Sequence, residues 1–563
     1  MASRKAQLNR AGNPWIIFIG IFITIGITLI ARHCYPNPRV LQQSQHQYWR
    51  RVRLNSTRGI IQDTKGNALV ISDTKPTFAV DPSLLTSEDV QKISAVISPE
   101  ITRKIYAAMD TPSRYLLIDR KPPEQEAKQL TALRKSIRGL IQENEPYRKY
   151  TNQRLMSHVL GFCDVDNRGQ AGIEQEWDTT LYNPPGQKVV VRRAGSQPAS
   201  LFERSPERRT VTPVVTLTLD SRIQYVVEKH LFKAAEDDGA KWAAAVCMNP
   251  STGEIYAMAS YPTYDPQNRK SLTLDSLSNA VISRGYEPGS TFKPIYLGVA
   301  LDRGWVTTDE TFFCPARYKV ADGYITEASA GVAFGDIDTA HLLIKSSNVG
   351  MAQIGVRANR VKTYESLQSL GFGQESDIEL PGVARGILPY PENWWGITPA
   401  NIAIGQGLAV TPLQLITAMA AIVNGGKLMS PYIVKQAVNS LGEVVYKGEP
   451  KVLREVFSPD TARWLREAMR RVVLEGTGKR AGTTITDVAG KTGTAQVSEG
   501  KKYSSSRYVA SFIGFWPYED PKYLMLIVIG EPSSGRYYGG ELATPPFKQI
   551  VEEMAELEYY SQG

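Results

Sequence analysis

A serine stands three residues ahead of a lysine in the stretch Tyr286-Glu287-Pro288-Gly289-Ser290-Thr291-Phe292-Lys293. Pro288 and Gly289 predict a tight turn, and Thr291 to Leu301 is mostly free of helix breakers. Ser290 then opens a helix, with Lys293 one turn on along the same face. A hydroxyl nucleophile, an amine able to act as its base, and the positive end of a helix dipole with free N–H groups coincide there. That set suits acyl transfer without histidine. The same spacing recurs at Ser72 and Lys75, where Pro76 follows and no partner motif is near, so the four-residue pattern alone decides nothing.

Two further sets join it. Lys345-Ser346-Ser347-Asn348 follows a helix predicted over Thr339 to Ile344 and offers a second hydroxyl, Ser346, and an amide, Asn348, two positions apart. Lys491-Thr492-Gly493-Thr494 lies on a strand predicted over Val488 to Val497. Glycines at 490 and 493 let a ligand backbone come close, as an edge strand that pairs with a peptide requires. Serine-lysine, serine-asparagine and lysine-threonine-glycine, in that order and each on a fitting element, form the signature of penicillin-recognising acyl enzymes.

These residues need a scaffold. Val215 to Asp220 alternates as a strand, and residues 221–238 carry helical spacing. Trp242 to Asn249 and Glu254 to Ser260 read as strands joined by the turn Pro250-Ser251-Thr252-Gly253. After a largely helical stretch over 270–480 come strands at Val488 to Val497, Tyr508 to Trp516 and Tyr523 to Ile529, then a helix over Pro546 to Glu558. Residues 206–563 are therefore expected to form one α/β domain with a single antiparallel sheet flanked by helices.

Residues 32–205 read as a stalk and an α+β interaction module. A hairpin turns at Lys65-Gly66-Asn67 between Ile60-Ile61 and Ala68 to Ile71. Helices are predicted over Ser87 to Ile97 and Pro123 to Ile141, a strand over His158 to Phe162, a helix running to Leu181, and a polar linker over 192–209. Nothing in the module suggests a nucleophile or a metal site. Residues 15–31 carry no charge; at ~1.5 Å per residue they reach about 26 Å, enough for one membrane span. An uncleaved signal-anchor is expected, with residues 1–14 in the cytoplasm and the rest outside. Arg4, Lys5 and Arg10 precede the span, but Arg32, Arg39, Arg50 and Arg51 follow it, so charge does not fix the orientation.

The chain has 563 residues, a formal net charge of +9, 42% hydrophobic residues and 21% charged ones, a balance that excludes dominant disorder. No Lys/Arg block with interleaved aromatics suggests nucleic acid. The four cysteines have no metal-ligand spacing, and no metal or cofactor is expected. Pairing among Cys163, Cys247 and Cys314 stays open.

On its three motifs the chain resembles a class B penicillin-binding protein, a penicillin-binding/β-lactamase-like serine acyltransferase preceded by a non-catalytic, dimerisation-type module. The likeness also covers Arg58-Gly59-Ile60-Ile61, Gly172-Ile173-Glu174, Asn249 to Glu254, Gly405-Gln406-Gly407, Thr411 to Gln414, and Tyr537-Tyr538-Gly539-Gly540. Ser347 and the late Tyr-Tyr-Gly-Gly make it most similar to the division-type, septal enzymes; the elongation-type relative is the alternative. The resemblance implies a D,D-transpeptidase acting on the D-Ala-D-Ala end of peptidoglycan stem peptides, with possible carboxypeptidase activity and inhibition by β-lactams. It implies Ser290 as nucleophile, Lys293 as base and Ser346 as proton relay. Asn348, Lys491, Thr492, Gly493 and Thr494 would bind substrate, and the backbone N–H groups of Ser290 and Thr494 would form the oxyanion hole. A membrane glycosyltransferase and other division proteins are the implied partners, at the inner membrane with the catalytic domain on its outer side. A β-lactam sensor or a silent division scaffold is the reading from another class. A hydrolytic β-lactamase would need a positioned carboxylate for deacylation, and no clear candidate stands out.

Overall fold

The computed structural model describes residues 14–34, 49–53, 57–183, 187–191 and 211–561, apart from positions 269, 271, 322, 330 and 501. The chain divides into two units, Met1–Ser56 with Pro184–Arg209, and Thr57–Asn183 with Thr210–Gly563. The first holds helix α1 (Pro14–Cys34) and an antiparallel pair of strands, Trp49–Arg53 and Gln187–Val191. Apart from Thr24 and Thr28, whose hydroxyls donate to backbone carbonyls one turn back, the described side chains of α1 are apolar and exposed, with Ile16, Phe18 and Phe22 among them. Among the described residues no helix is long and apolar enough to cross a membrane, so the expected span is not found there. The expected linker over 192–209 lies outside the described residues.

In the second unit the expected hairpin forms between β1 (Ile60–Gln62) and β2 (Ala68–Val80), turning through Gly66 at φ +86°. Asp63 holds the turn by accepting from Lys65 N at 2.9 Å and Asn67 N at 2.8 Å. β2 also pairs with β3 (Leu116–Arg120) and, along eleven positions, with β4 (Leu140–Tyr150). The helix expected over Pro123 to Ile141 spans only Glu124–Leu133, and its last residues enter β4 instead. β4 reads LIQENEPYRKY, a polar half-exposed strand whose pairing with β2 overrides weak local preference. The strand expected over His158 to Phe162 is a short buried helix, Ser157–Leu160, ended by Gly161 at φ +74°. His158 Nε2 meets Ser276 O at 2.8 Å, a tertiary contact that no local pattern announces.

Catalytic-side elements follow the expected order, except that the stretch over 270–480, expected to be largely helical, also holds strands, Val434–Val438 and Val444–Lys447 among them. They are β5 (Val214–Leu217), α2 (Ser221–Asp237), β6 (Trp242–Met248), β7 (Ile255–Tyr261), α3 (Lys293–Asp302), α4 (Thr339–Ile344), α5 (Asn348–Arg357) and α6 (Pro412–Val423). They continue through β8 (Val434–Val438), β9 (Val444–Lys447), β10 (Ala489–Glu499), β11 (Lys502–Trp516), β12 (Tyr523–Gly530) and α7 (Thr544–Ser561). The central sheet is antiparallel throughout, in the order β10-β11-β12-β6-β7. Alternation along β6 divides the core. Ala244, Val246 and Met248 face the helical insert, whereas Ala243, Ala245 and Cys247 face α2 and α7. Small side chains on both faces allow close helix approach. α6 is buried at all twelve positions and begins with a capping box between Thr411 and Gln414. Cys163, Cys247 and Cys314 are buried and form no disulfide with one another, so the pairing left open among them does not occur.

A second sheet corrects the expectation that residues 206–563 hold a single antiparallel sheet. Its order is β9-β8-β5-β1-β2-β3, with β4 also on β2. β1 pairs in parallel with β5, Ile60 opposite Val214 and Gln62 opposite Thr216, so the first module and the catalytic part share one ladder. Next to it, Glu174 is fully buried between Arg58 and Arg148. Arg148 Nε donates to Glu174 Oε1 at 2.7 Å, and Arg58 Nη2 to the Glu174 carbonyl at 2.6 Å.

Candidate active site

Gly289–Phe292 is a 3-10 turn, and α3 starts at Lys293, two residues later than expected. Gly289 has φ +55°, and a Cβ on it would lie 2.9 Å from Thr494 O. Glycine therefore lets the nucleophile turn touch strand β10. Gly405, at φ +79°, supports the turn from behind: its carbonyl accepts from Gly289 N at 2.9 Å, and a Cβ on it would meet Gly289 O at 2.1 Å. Alanine at Gly405 must displace the turn that carries Ser290. We expect acylation to slow by as much as roughly a hundredfold, which a penicillin-labelling time course reads directly.

Ser290 is half-buried, and no hydrogen bond to its hydroxyl occurs among the described residues. Lys293, fully buried, turns its Nζ toward the second motif. It donates to Ser346 O at 2.6 Å, Asn348 Oδ1 at 2.8 Å and Ser346 Oγ at 3.4 Å. Ser346 has φ +59°, a left-handed conformation that orients both its oxygens to this lysine. Lys491 Nζ reaches Ser346 Oγ from the other side at 2.9 Å and its neighbour's carbonyl, Thr492 O, at 3.0 Å. Ser346 Oγ thus lies between two buried amines. Burial drives the Lys293 amine down to about 7, against the opposing pull of Glu327. Burial and the charge of Lys293 hold Lys491 well below the usual lysine range. Burial dominates for both lysines.

The other expected residues are mostly engaged. Asn348 Nδ2 donates to Thr326 O at 2.9 Å. Thr492 and Thr494 share a strand face; Thr492 Oγ1 contacts Thr477 Oγ1 at 2.7 Å, and Thr494 Oγ1 accepts from Gly539 N at 3.0 Å. Gly493 is packed tightly, as a Cβ there would lie 2.5 Å from Ser511 Oγ. Trp394 is buried, its Nε1 donating to Pro389 O at 2.9 Å, whereas its neighbour Trp395 is exposed.

Glu327 escaped sequence reasoning. It is buried and accepts from Ser347 Oγ and Asn348 N, each at 2.6 Å, and from Val349 N at 3.3 Å. A carboxylate at the N-terminus of α5 thereby fixes the loop of Ser346 and Asn348. Nothing in the run Ile325-Thr326-Glu327-Ala328 signals this; the contact is made by folding.

This geometry has relatives. Residues 243–552, more than half the chain, match the family described as penicillin binding protein transpeptidase domain, and residues 53–209 match the penicillin-binding protein dimerisation domain. The chain is 31% identical over 509 residues to Stage V sporulation protein D of Bacillus subtilis, covering 88% of this chain and 77% of that protein. It is 30% identical over 516 residues to a probable peptidoglycan D,D-transpeptidase, PenA, of Neisseria gonorrhoeae, covering 91% and 86%. The crystal structure of penicillin binding protein 3 from Mycobacterium tuberculosis complexed with ampicillin superposes with a TM-score of 0.68 at 26% identity, covering 90% of this chain and 96% of that one. Two lysines converging on one serine, beside a serine at a glycine-shaped turn, are thus found in a chain matched along most of its length, which belongs to the class B penicillin-binding proteins and is a serine D,D-transpeptidase.

Proposed function

We propose that the protein cross-links peptidoglycan stem peptides through an acyl-enzyme on Ser290, at the division septum, and that β-lactams acylate the same serine. The observation that carries this reading is the placement of Ser346 Oγ between Lys293 Nζ and Lys491 Nζ. Ser290 Oγ attacks the penultimate D-Ala carbonyl, and neutral Lys293 takes its proton. The oxyanion rests on the N–H groups of Ser290 and Thr494, one such donor being worth about 3 kcal/mol of barrier. Lys293 returns the proton through Ser346 to the departing D-Ala amine. An amine of a neighbouring stem then attacks the ester, gives up a proton along the same path and frees Ser290; water in its place yields the carboxypeptidase product. The terminal carboxylate lies on Lys491, Thr492 and Thr494, and its charge restores the Lys491 proton that burial disfavours. Asn348 meets the donor backbone.

The domain limits follow the reading: residues 32–205 as stalk and dimerisation-type module, 206–563 as transpeptidase. α1 is the proposed membrane anchor, with residues 1–14 inside and the catalytic part outside. Its exposed side chains are mostly apolar, which water does not favour. A membrane glycosyltransferase is the proposed partner. Ser290→Ala is expected to take up no labelled penicillin covalently, whereas the unaltered chain labels to one equivalent; retained labelling would sink the assignment. Septal bands of a tagged protein support the division role, and lateral-wall fluorescence the elongation role.

A further inference from the structure

Beyond Thr494, strand β10 continues to Gln496, Val497 and Ser498, which line a cavity of about 450 Å³. Tyr286 and Glu287, from the stretch just ahead of Ser290, line its other wall. β10 is the edge strand of its sheet. On the reading above, the substrate's terminal carboxylate lies at Lys491, toward the start of β10, and its reacting carbonyl at Thr494. A peptide added antiparallel to this edge places the preceding stem residue near Gln496, since successive same-face positions are about 6.8 Å apart. The side chain of that residue then meets the cavity.

The cavity's charges are specific. Arg284 lies over the Trp242 ring, 4.7 Å from its centroid, and forms no ion pair with a carboxylate among the described residues. Glu287 Oε1 accepts from Gly407 N at 3.1 Å, while Oε2 is buried without a hydrogen-bond partner. The remaining carboxylate, Glu531, is already held by Arg507 at 2.6 Å and Lys241 at 2.8 Å. One guanidinium and one carboxylate therefore remain for a ligand. Both follow Ile282 within five residues, on the segment that ends in the nucleophile. Rotation about the terminal torsion of Glu287, a soft coordinate, presents either oxygen to the cavity.

We propose that this cavity takes the side chain of the stem residue preceding D-Ala-D-Ala, and that its head group is a zwitterion, with its carboxylate on Arg284 and its ammonium on Glu287. The inference rests on the transpeptidase reading and names the substrate class of the same site: a diamino dicarboxylic acid at that position, in preference to a diamine carrying no carboxylate. Burial has pushed Glu287 up to about 7, and an arriving ammonium pulls it back toward the carboxylate form. The geometry also accounts for a buried carboxylate oxygen that the protein itself leaves unpaired.

Three stem pentapeptides test this on the full-length protein in detergent. They differ only in the side chain preceding D-Ala-D-Ala, which ends in ammonium plus carboxylate, ammonium plus carboxamide, or ammonium alone. The readout is kcat/KM for D-Ala release. The zwitterionic form is expected to lead both others by roughly tenfold to a hundredfold, the value of one charge-assisted pair. Arg284→Gln should collapse the carboxylate-to-carboxamide ratio toward one, a comparison that does not depend on the variant's overall activity. Equal use of all three peptides by the unaltered chain, or an undiminished ratio in Arg284→Gln, overturns the proposal. Labelling by penicillin reads Ser290 separately: a chain that takes penicillin yet does not discriminate fails only this inference, and a chain that takes none fails the transpeptidase reading.

Discussion

Lys293→Ala slows acylation of Ser290 by penicillin by roughly a hundred- to ten-thousandfold, the usual worth of a positioned general base. Lys293→Arg is expected to be as slow, since a guanidinium does not give up its proton at working pH. The unaltered chain should show a rate that rises with pH through about 7 and then levels. The sign follows from the role. Lys293 accepts the serine proton only as a free amine, so activity is lost as pH falls and the ammonium forms. Because Lys491 shares the Ser346 hydroxyl with it, the midpoint belongs to the pair of amines. Acylation by a chromogenic cephalosporin, timed across pH about 5 to 9, measures it. A flat profile would remove Lys293 from the proton path.

Glu174→Ala is the largest expected loss of stability outside the site, about 3–5 kcal/mol in denaturant unfolding. The substitution leaves Arg58 and Arg148 buried, at 4% and 6% exposure, without the carboxylate that compensates them. Asp178, which pairs with Arg58 but is 40% exposed, gives the contrast: its replacement by asparagine should cost under about 1 kcal/mol. Burial raises the Glu174 carboxyl, but the two guanidiniums outweigh it and hold the group below its ordinary value of 4.5. The stability it contributes is therefore present above that value and lost as pH falls through the lowered one. Penicillin labelling by Glu174→Ala at low temperature would show whether the loss is confined to stability.

The chemistry was legible in the sequence because it sits on elements with strong local signals. Gly289 and Pro288 announce the turn, and glycines 490 and 493 the edge strand around Lys491. The central sheet was legible for the same reason: β6 and β12 are continuous apolar runs bounded by turns. What stayed hidden depends on contacts between distant segments. β4 is polar along most of its length and is a strand only because β2 lies beside it. His158 sits in a helix whose Nε2 contact is Ser276, more than a hundred residues away. Glu327 carries no motif, and only folding brings it under Ser347 and Asn348.

The ladder between β1 and β5 bears on where this protein can be cut. A fragment begun at residue 206 keeps the nucleophile, both lysines and the central sheet. It also keeps β5, now stripped of the parallel neighbour that occupies Ile60 to Gln62. The donors and acceptors along that side of β5 would face water as a bare edge, a template for pairing with another chain. The catalytic half is therefore not a self-sufficient fragment with an ornament at its front. The short strand contributed from the far end of the chain serves as its edge guard, and a soluble version would have to retain that hairpin or replace it.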